Sequence, residues 1–147
     1  MLLILQDAQG IIGVCTGMPL NCEDNEFQSA FVGENNDEIY YIGEVMLRAG
    51  SRGKKLGSGL PSTALGLIDS KKFKKISLCT VDRGLNHPQR PRNYCSPDYL
   101  WRKHGFEKSV NLLAYFSWKD IGQNMETQNP MNIWFKEHSK EEAQQAP

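Results

Sequence analysis

Nine consecutive residues, Arg52-Gly53-Lys54-Lys55-Leu56-Gly57-Ser58-Gly59-Leu60, hold three cations, three glycines and a hydroxyl. Ahead of them Ile39-Tyr40-Tyr41-Ile42-Gly43-Glu44-Val45-Met46-Leu47 has the β-branched and aromatic content of a buried strand. Behind them Leu56, Leu60, Ala64, Leu67 and Ile68 recur at three- and four-residue spacing, which predicts an apolar stripe on a helix. Pro61 suits that helix if it falls among the first four residues, whose N–H groups have no intrahelical partner, so the helix is expected to begin near Gly57. A strand, a glycine-rich basic turn and a helix N-terminus present convergent backbone N–H donors, the positive end of the helix dipole and flanking cations. Glycine lets the backbone approach closely. The chemistry this suits is pyrophosphate binding.

Two better-known phosphate motifs fail on the same residues. A Walker-type loop needs a glycine where Arg48 stands and a Ser or Thr where Lys55 stands, and a dinucleotide fingerprint needs a third glycine where Ser62 stands. The segment instead resembles the Arg/Gln-x-x-Gly-x-Gly/Ala signature of the GNAT superfamily of N-acetyltransferases. Arg52 and Gly57 match it, and Gly53, Leu56, Ser58 and Leu60 fit its common form, while Lys55 departs from it at the first glycine position.

The elements around the turn follow in a compatible order. Leu2–Gln6 and Gly10–Gly17 read as two strands of a hairpin joined at Asp7-Ala8-Gln9-Gly10. Lys75–Val81 reads as the next strand after the helix, which implies a right-handed parallel crossover. Ser96-Pro97-Asp98 reads as an N-cap, a first-turn proline and a first-turn acid of a short helix reaching Gly105, and Asn111–Trp118 as the last long strand. Trp101-Arg102-Lys103-His104-Gly105-Phe106 resembles the family's Tyr-Glu-Lys-Leu-Gly-Phe segment. Cys79–Arg83, Asn86–Pro91, Tyr94, Pro97-Asp98, Phe116–Asp120 and Met131–Lys136 are similar to a bacterial subgroup with an extended loop between its fifth strand and fourth helix. The fold class implied is α/β (α+β), a central mixed, mostly antiparallel twisted sheet with flanking helices. The resemblance also implies a strand and two helices ahead of the hairpin, whereas this chain begins on the hairpin. An open sheet face, covered by a second copy or another contact, is the expectation.

The activity the resemblance implies is transfer of an acetyl group from acetyl-CoA, as co-substrate, to the amine of a small molecule or peptide. The neutral amine attacks directly, helped by a general base, backbone donors to the thioester oxygen and an acid for the departing thiolate. It implies a thioester beside Val45, Met46 and Leu47, and a pyrophosphate on Arg52, Gly53, Lys54, Lys55, Leu56, Gly57 and Ser58. Glu44 is the first candidate base, with a water-facing strand-edge carboxylate as the alternative. The family's tyrosine acid corresponds to Trp101, which cannot donate a proton in that role. Tyr94 and Tyr99 are the substitutes, and Asp82 and His87 are further acid–base candidates in the loop. Two other readings stay open: a CoA-binding protein of this kind with lost or partner-dependent catalysis, and a structural or interaction domain without CoA.

Composition narrows the classes. With 147 residues, 17 basic and 17 acidic side chains and no net charge, the chain suits one small domain and not a nucleic-acid partner. Residues 1–138 are expected as that domain, and Ser139–Pro147 as a flexible polar tail, with Gln123–Pro130 a polar connector. Lys71-Lys72-Phe73-Lys74-Lys75 reads as a solvated helix end. No apolar run approaches the ~20 residues that span a membrane, and the N-terminus lacks a basic leader, so a cytoplasmic location is expected. Cys15, Cys22, Cys79 and Cys95 follow no Cys-x-x-Cys spacing and read as structural thiols, with no metal site.

Overall fold

Local periodicity and turn residues divide the chain into β1 (Leu2–Asp7), β2 (Gly10–Pro19), α1 (Asn25–Ser29), β3 (Ile39–Leu47), α2 (Leu56–Gly66), β4 (Lys75–Val81), α3 (Asp98–Lys103), β5 (Glu107–Trp118) and β6 (Thr127–Glu137). The structure, a computed structural model, describes residues 1–54, 56–84, 87, 90, 92–120 and 122–138. Lys55, the loop residues Leu85, Asn86, Pro88, Gln89 and Pro91, Ile121 and the expected tail 139–147 lie outside the described residues. The strands form one sheet in the order β1-β2-β3-β4-β6-β5, antiparallel except for the parallel pair β3–β4. This is the mixed, mostly antiparallel sheet with flanking helices expected above.

The apolar run at the start of β3 is continuous because both faces of the sheet are covered there. Tyr40 and Ile42 face a cluster with Leu60 and Ala64 of α2 and with Trp101 and Phe106. Ile39 and Tyr41 face a second cluster built on Phe27 and Phe31 around α1. Trp134, fully buried, donates from Nε1 to Thr80 Oγ1 at 2.9 Å, while Ser77 Oγ donates to the Trp134 carbonyl at 2.9 Å, so the polar atoms of this core are paired. Truncating such a side chain costs about 3–5 kcal/mol.

The first correction is at the C-terminal end of the sheet. The last long strand is β6, not Asn111–Trp118, and β6 inserts between β4 and β5. The expected connector Gln123–Pro130 ends at Gln123–Glu126, because Thr127–Pro130 pair with Trp118–Tyr115 of β5. Thr-Gln-Asn-Pro shows no apolar alternation, so long-range pairing decides its state. Pro130 is tolerated because its carbonyl accepts from Asp82 N–H at 2.8 Å and the β4–β6 ladder starts only at Met131.

The second correction is to α2, which starts at Leu56 and places Pro61 past the first turn, so the bond a sixth residue would donate to Gly57 is missing. Pro61 is nevertheless buried among core side chains. The third concerns Leu67, expected on the stripe but 61% exposed. The helix ends at Gly66, and the next two N–H groups close on Ala64 and Leu65 in tighter three-residue turns that turn Leu67 outward and Ile68 inward.

α3 ends as its glycine dictates. Gly105, at φ +82°, donates to the Arg102 carbonyl at 3.0 Å, and Phe106 donates to the Trp101 carbonyl at 3.0 Å. The rings of Trp101 and Phe106 then pack 5.6 Å apart, completing a Schellman cap with its apolar contact. A fourth correction is at the other end, where α3 starts at Asp98 with Pro97, not Ser96, at the N-cap and no side-chain cap; Ser96 Oγ, one residue earlier, accepts from Asp98 N–H at 3.2 Å.

Candidate functional site

Two irregularities in β3 make the site. Cys15 pairs with Val45 and Gly17 with Ile42, so Gly43 and Glu44 together oppose Thr16. This β-bulge leaves an extra N–H, that of Glu44, which Thr16 Oγ1 accepts at 3.0 Å. The added residue also shifts the pleat, so Val45 packs against the same cluster as Ile42. On the other side of β3 the parallel ladder to β4 ends at Ile42 opposite Leu78, although β3 continues to Leu47 and β4 to Val81. Past that pair the strands part into a fork whose β3 side is Val45, Met46 and Leu47.

The basic turn carries the chain from the tip of the fork into α2. Arg48 N–H donates to the Ile12 carbonyl at 2.8 Å, and Ser51 and Arg52 N–H close a short 3₁₀ turn onto Arg48 and Ala49. Arg52 folds back, its Nε donating to the Leu47 carbonyl at 3.2 Å. Gly53 sits at φ +77°, a conformation unfavourable to any residue with a Cβ. Leu56, Gly57 and Ser58 form the first turn of α2, where backbone N–H groups lack intrahelical acceptors. A Cβ at Gly57 would stand 3.4 Å from Leu47 Cδ1, a measure of how closely α2 approaches the end of β3. The structure thus brings Val45–Leu47, Arg52–Lys54 and Leu56–Ser58 to one place, at the carboxyl ends of a parallel strand pair, a common location for ligand sites in α/β sheets.

The candidate proton-transfer residues are more dispersed. Glu44 is an exposed residue in the bulge. Tyr94 is half-buried with the Arg90 guanidinium 4.6 Å from its ring centroid, and Tyr99 on α3 is 78% exposed. Trp101 is buried in the core. Asp82 N–H is tied to Pro130, and His87 N–H donates to the Gly84 carbonyl at 3.1 Å.

Sequence reasoning missed Tyr41, Cys79 and Glu23. Tyr41 is 7% exposed on the α1 side of the sheet, its ring 3.8 Å from where a Gly43 Cβ would be, and its hydroxyl meets the Cys79 thiol at the base of the fork. Burial first, then Cys79, Glu23 and Glu44, push the Tyr41 phenol far above its ordinary range, so it keeps its proton and can only donate a hydrogen bond. Burial likewise pushes Cys79 up to about 12, against a smaller lowering by Tyr41. The thiol therefore stays protonated near neutral pH and is no candidate nucleophile. Glu23 is raised by burial and by neighbouring Asp24. The signal for α1 was legible: Asp24 caps it by accepting from Phe27 N–H at 2.8 Å. The signal for Tyr41 was not, because every residue of Ile39–Ile42 reads as core.

A recess of about 640 Å³ lies elsewhere, at the opposite end of β4, lined by Lys75, Glu107 and Phe135 and by a second bulge at Ser109–Leu112 of β5. The four cysteines are free thiols, and among the described residues no three His, Cys, Asp or Glu side chains cluster as metal ligands. No described helix is long and apolar enough to cross a membrane.

No protein-family model matches the chain, and no curated protein sequence does. Solved structures do. A GNAT family acetyltransferase from Elizabethkingia anophelis with acetyl-CoA bound superposes with a TM-score of 0.60 at 15% identity, over 93% of this chain and 75% of that one. The ribosomal-protein-alanine N-acetyltransferase of Brucella melitensis gives 0.57 at 14% identity, over 93% and 68%. An IAA acetyltransferase from Bacillus cereus gives 0.59 at 14%, over 92% and 75%. A bulged strand, a fork on its parallel neighbour and a helix N-terminus at the fork's mouth are therefore set in a GNAT acetyltransferase fold.

Proposed function

We propose that the chain is an acetyl-CoA-dependent N-acetyltransferase acting by direct attack on an amine of a small molecule or peptide. The observation that carries this is the first turn of α2 held at the open end of the β3–β4 fork, where backbone groups of β3 have no β4 partner. A pyrophosphate on the first-turn N–H groups of α2 extends the pantetheine arm along Val45–Leu47 and sets the thioester near Glu44. There Glu44 takes the amine proton, directly or through water, and unpaired β3 N–H groups stabilise the thioester oxygen as charge develops. Tyr94 and Tyr99 are the donors for the departing thiolate, while Tyr41, held as a phenol at the base of the fork, offers only a hydrogen bond. The peptide option draws support from a structural neighbour that acts on a ribosomal-protein alanine.

A second reading, CoA binding with lost or partner-dependent catalysis, is favoured by one observation. Trp101 fills the family's tyrosine position as a buried core residue with no proton to give. Calorimetry with acetyl-CoA tests binding, and an amine screen that detects released CoA separates the two readings. Binding without release across the screen supports the second; no binding overturns both.

A further inference from the structure

Ser58 Oγ and His104 Nε2 lie 3.2 Å apart, joining the first turn of α2 to the C-terminal end of α3. Neither arrangement is accidental. Ser58 is the third residue of α2, so its hydroxyl shares the space of the unpaired first-turn N–H groups. His104 is the residue before the left-handed Gly105, and its N–H is fixed on the carbonyls of Leu100 and Trp101 at 3.2 and 3.0 Å, so the backbone that aims the ring is pinned.

We propose that Ser58 and His104 form a proton-coupled latch on the cofactor's phosphate: Ser58 donates its hydroxyl proton to a phosphate oxygen while His104, taking up a proton from solvent, donates from Nε2 to Ser58 Oγ. This rests on the cofactor placement proposed above. The reasoning is one of hydrogen-bond polarity. A serine hydroxyl has one proton. With a neutral ring whose Nε2 accepts, that proton points at the histidine and oxygen lone pairs are left to face the ligand, which repels an anion. With Nε2 protonated, the chain runs from ring to hydroxyl to phosphate and every donor faces an acceptor.

The surroundings hold the free ring neutral, and of its two neutral tautomers only the Nε2–H form leaves the Ser58 proton for the phosphate. Burial, Lys103 on α3 and Lys136 on β6 lower the His104 pKa below its ordinary range, and a hydrogen bond to the Ser58 backbone on α2 opposes them more weakly. Both charges acting on the ring are positive, and the N-terminus of α2 adds the same sign. An arriving phosphate reverses that balance, and an opposite charge at close range raises a pKa by about 1–3 pH units. The bound state therefore holds more protons than the free state, and affinity must rise as pH falls through the window between the free and bound pKa values.

Proton NMR of the His104 ring in the full chain, titrated from pH 5 to 8 with and without CoA, reads this directly. The expected result is an upward shift of about one pH unit or more on binding. Calorimetry in buffers of different ionisation heat should show a matching proton uptake near pH 6.5. Dephospho-CoA, which lacks the separately titrating 3′-phosphate, should give the same uptake, and Ser58→Ala and His104→Gln should abolish it. CoA that binds with the His104 titration unmoved overturns the latch and leaves the acetyltransferase reading standing. Failure of CoA to bind overturns both, and a response lost with dephospho-CoA also overturns the latch by assigning the proton to the 3′-phosphate.

Discussion

The proposed phosphate end of the site is fixed by backbone, whereas its proposed chemical end is assembled from side chains on β3, β4 and the β2–β3 connection. At the first, a 3₁₀ turn, the left-handed Gly53, the return of Arg52 to the Leu47 carbonyl and the start of α2 follow one another within about a dozen residues. At the second, Glu44 gains its position from a bulge that depends on β2, and Tyr41 gains its environment from Cys79 on β4 and Phe27 on α1. A constant ligand part, such as a pyrophosphate, needs only donors and close approach, and a short segment supplies both. A reaction needs proton donors and acceptors placed to within fractions of an ångström, and only the register of several elements supplies that.

The comparison breaks most visibly at Glu44. If the two ends are separate, Glu44→Gln keeps acetyl-CoA affinity and lowers turnover by about 10² to 10⁴, because the amide retains shape and cannot take a proton. Steady-state kinetics alongside calorimetry measures both. A loss under about threefold returns Glu44 to the role of an exposed bulge residue. Tyr94→Phe and Tyr99→Phe sharpen the result: a drop in turnover in one variant and not the other assigns the thiolate's proton to that phenol.

The reciprocal change is Gly57→Val. The structure has room for it, since the nearest atom to the new Cβ is the mobile end of Leu47, so the fold should persist. Blocking one charge-assisted backbone bond to phosphate, worth about 1.5–3 kcal/mol, should weaken acetyl-CoA binding by about 10- to 100-fold. Turnover at saturation should change far less. Unaltered affinity would place the pyrophosphate elsewhere.

That same difference explains what the sequence could reveal. The bounds of β3 and β4 and the Gly105 terminator are local signals, and each is found where its residues indicate. The start of β6 is not, since Thr127–Pro130 become a strand only when β5 is there to pair with. The motif turn was legible because glycine and charge act through adjacent backbone, which is also why it suits the phosphate role proposed for it. Tyr41 was illegible because its distinction lies in which neighbours surround it, and His104 because nothing in Lys-His-Gly names a serine 46 residues away. The parting of β3 from β4 has no sequence mark beyond the Gly43-Glu44 pair.

A smaller effect should separate conformation from contact within the phosphate end. Gly53→Ala puts a Cβ into the left-handed region, where it costs about 1–2 kcal/mol, although no atom stands within 4 Å of that Cβ. Thermal unfolding should therefore fall by a few degrees, about what such a cost produces in a chain of this size. Acetyl-CoA should restore part of the loss by mass action. A fall in affinity with no fall in thermal stability would mean that the turn is ordered only by ligand.

Lys54→Ala should have the smallest effect. Lys54 is exposed, and a cation in that position acts through solvent, so its attraction for phosphate is shared with water and screened by salt. At low ionic strength the loss of affinity should be about two- to fivefold, in line with the ~1 kcal/mol or less that exposed charge pairs contribute. It should shrink further by 0.5 M salt, where the screening length falls to a few ångströms. The Gly57→Val defect, by contrast, should survive salt, because an obstructed backbone stays obstructed. Calorimetry of both variants at two salt concentrations therefore separates charge from geometry: equal salt sensitivity would show that the turn works as a basic patch and not as a backbone cradle.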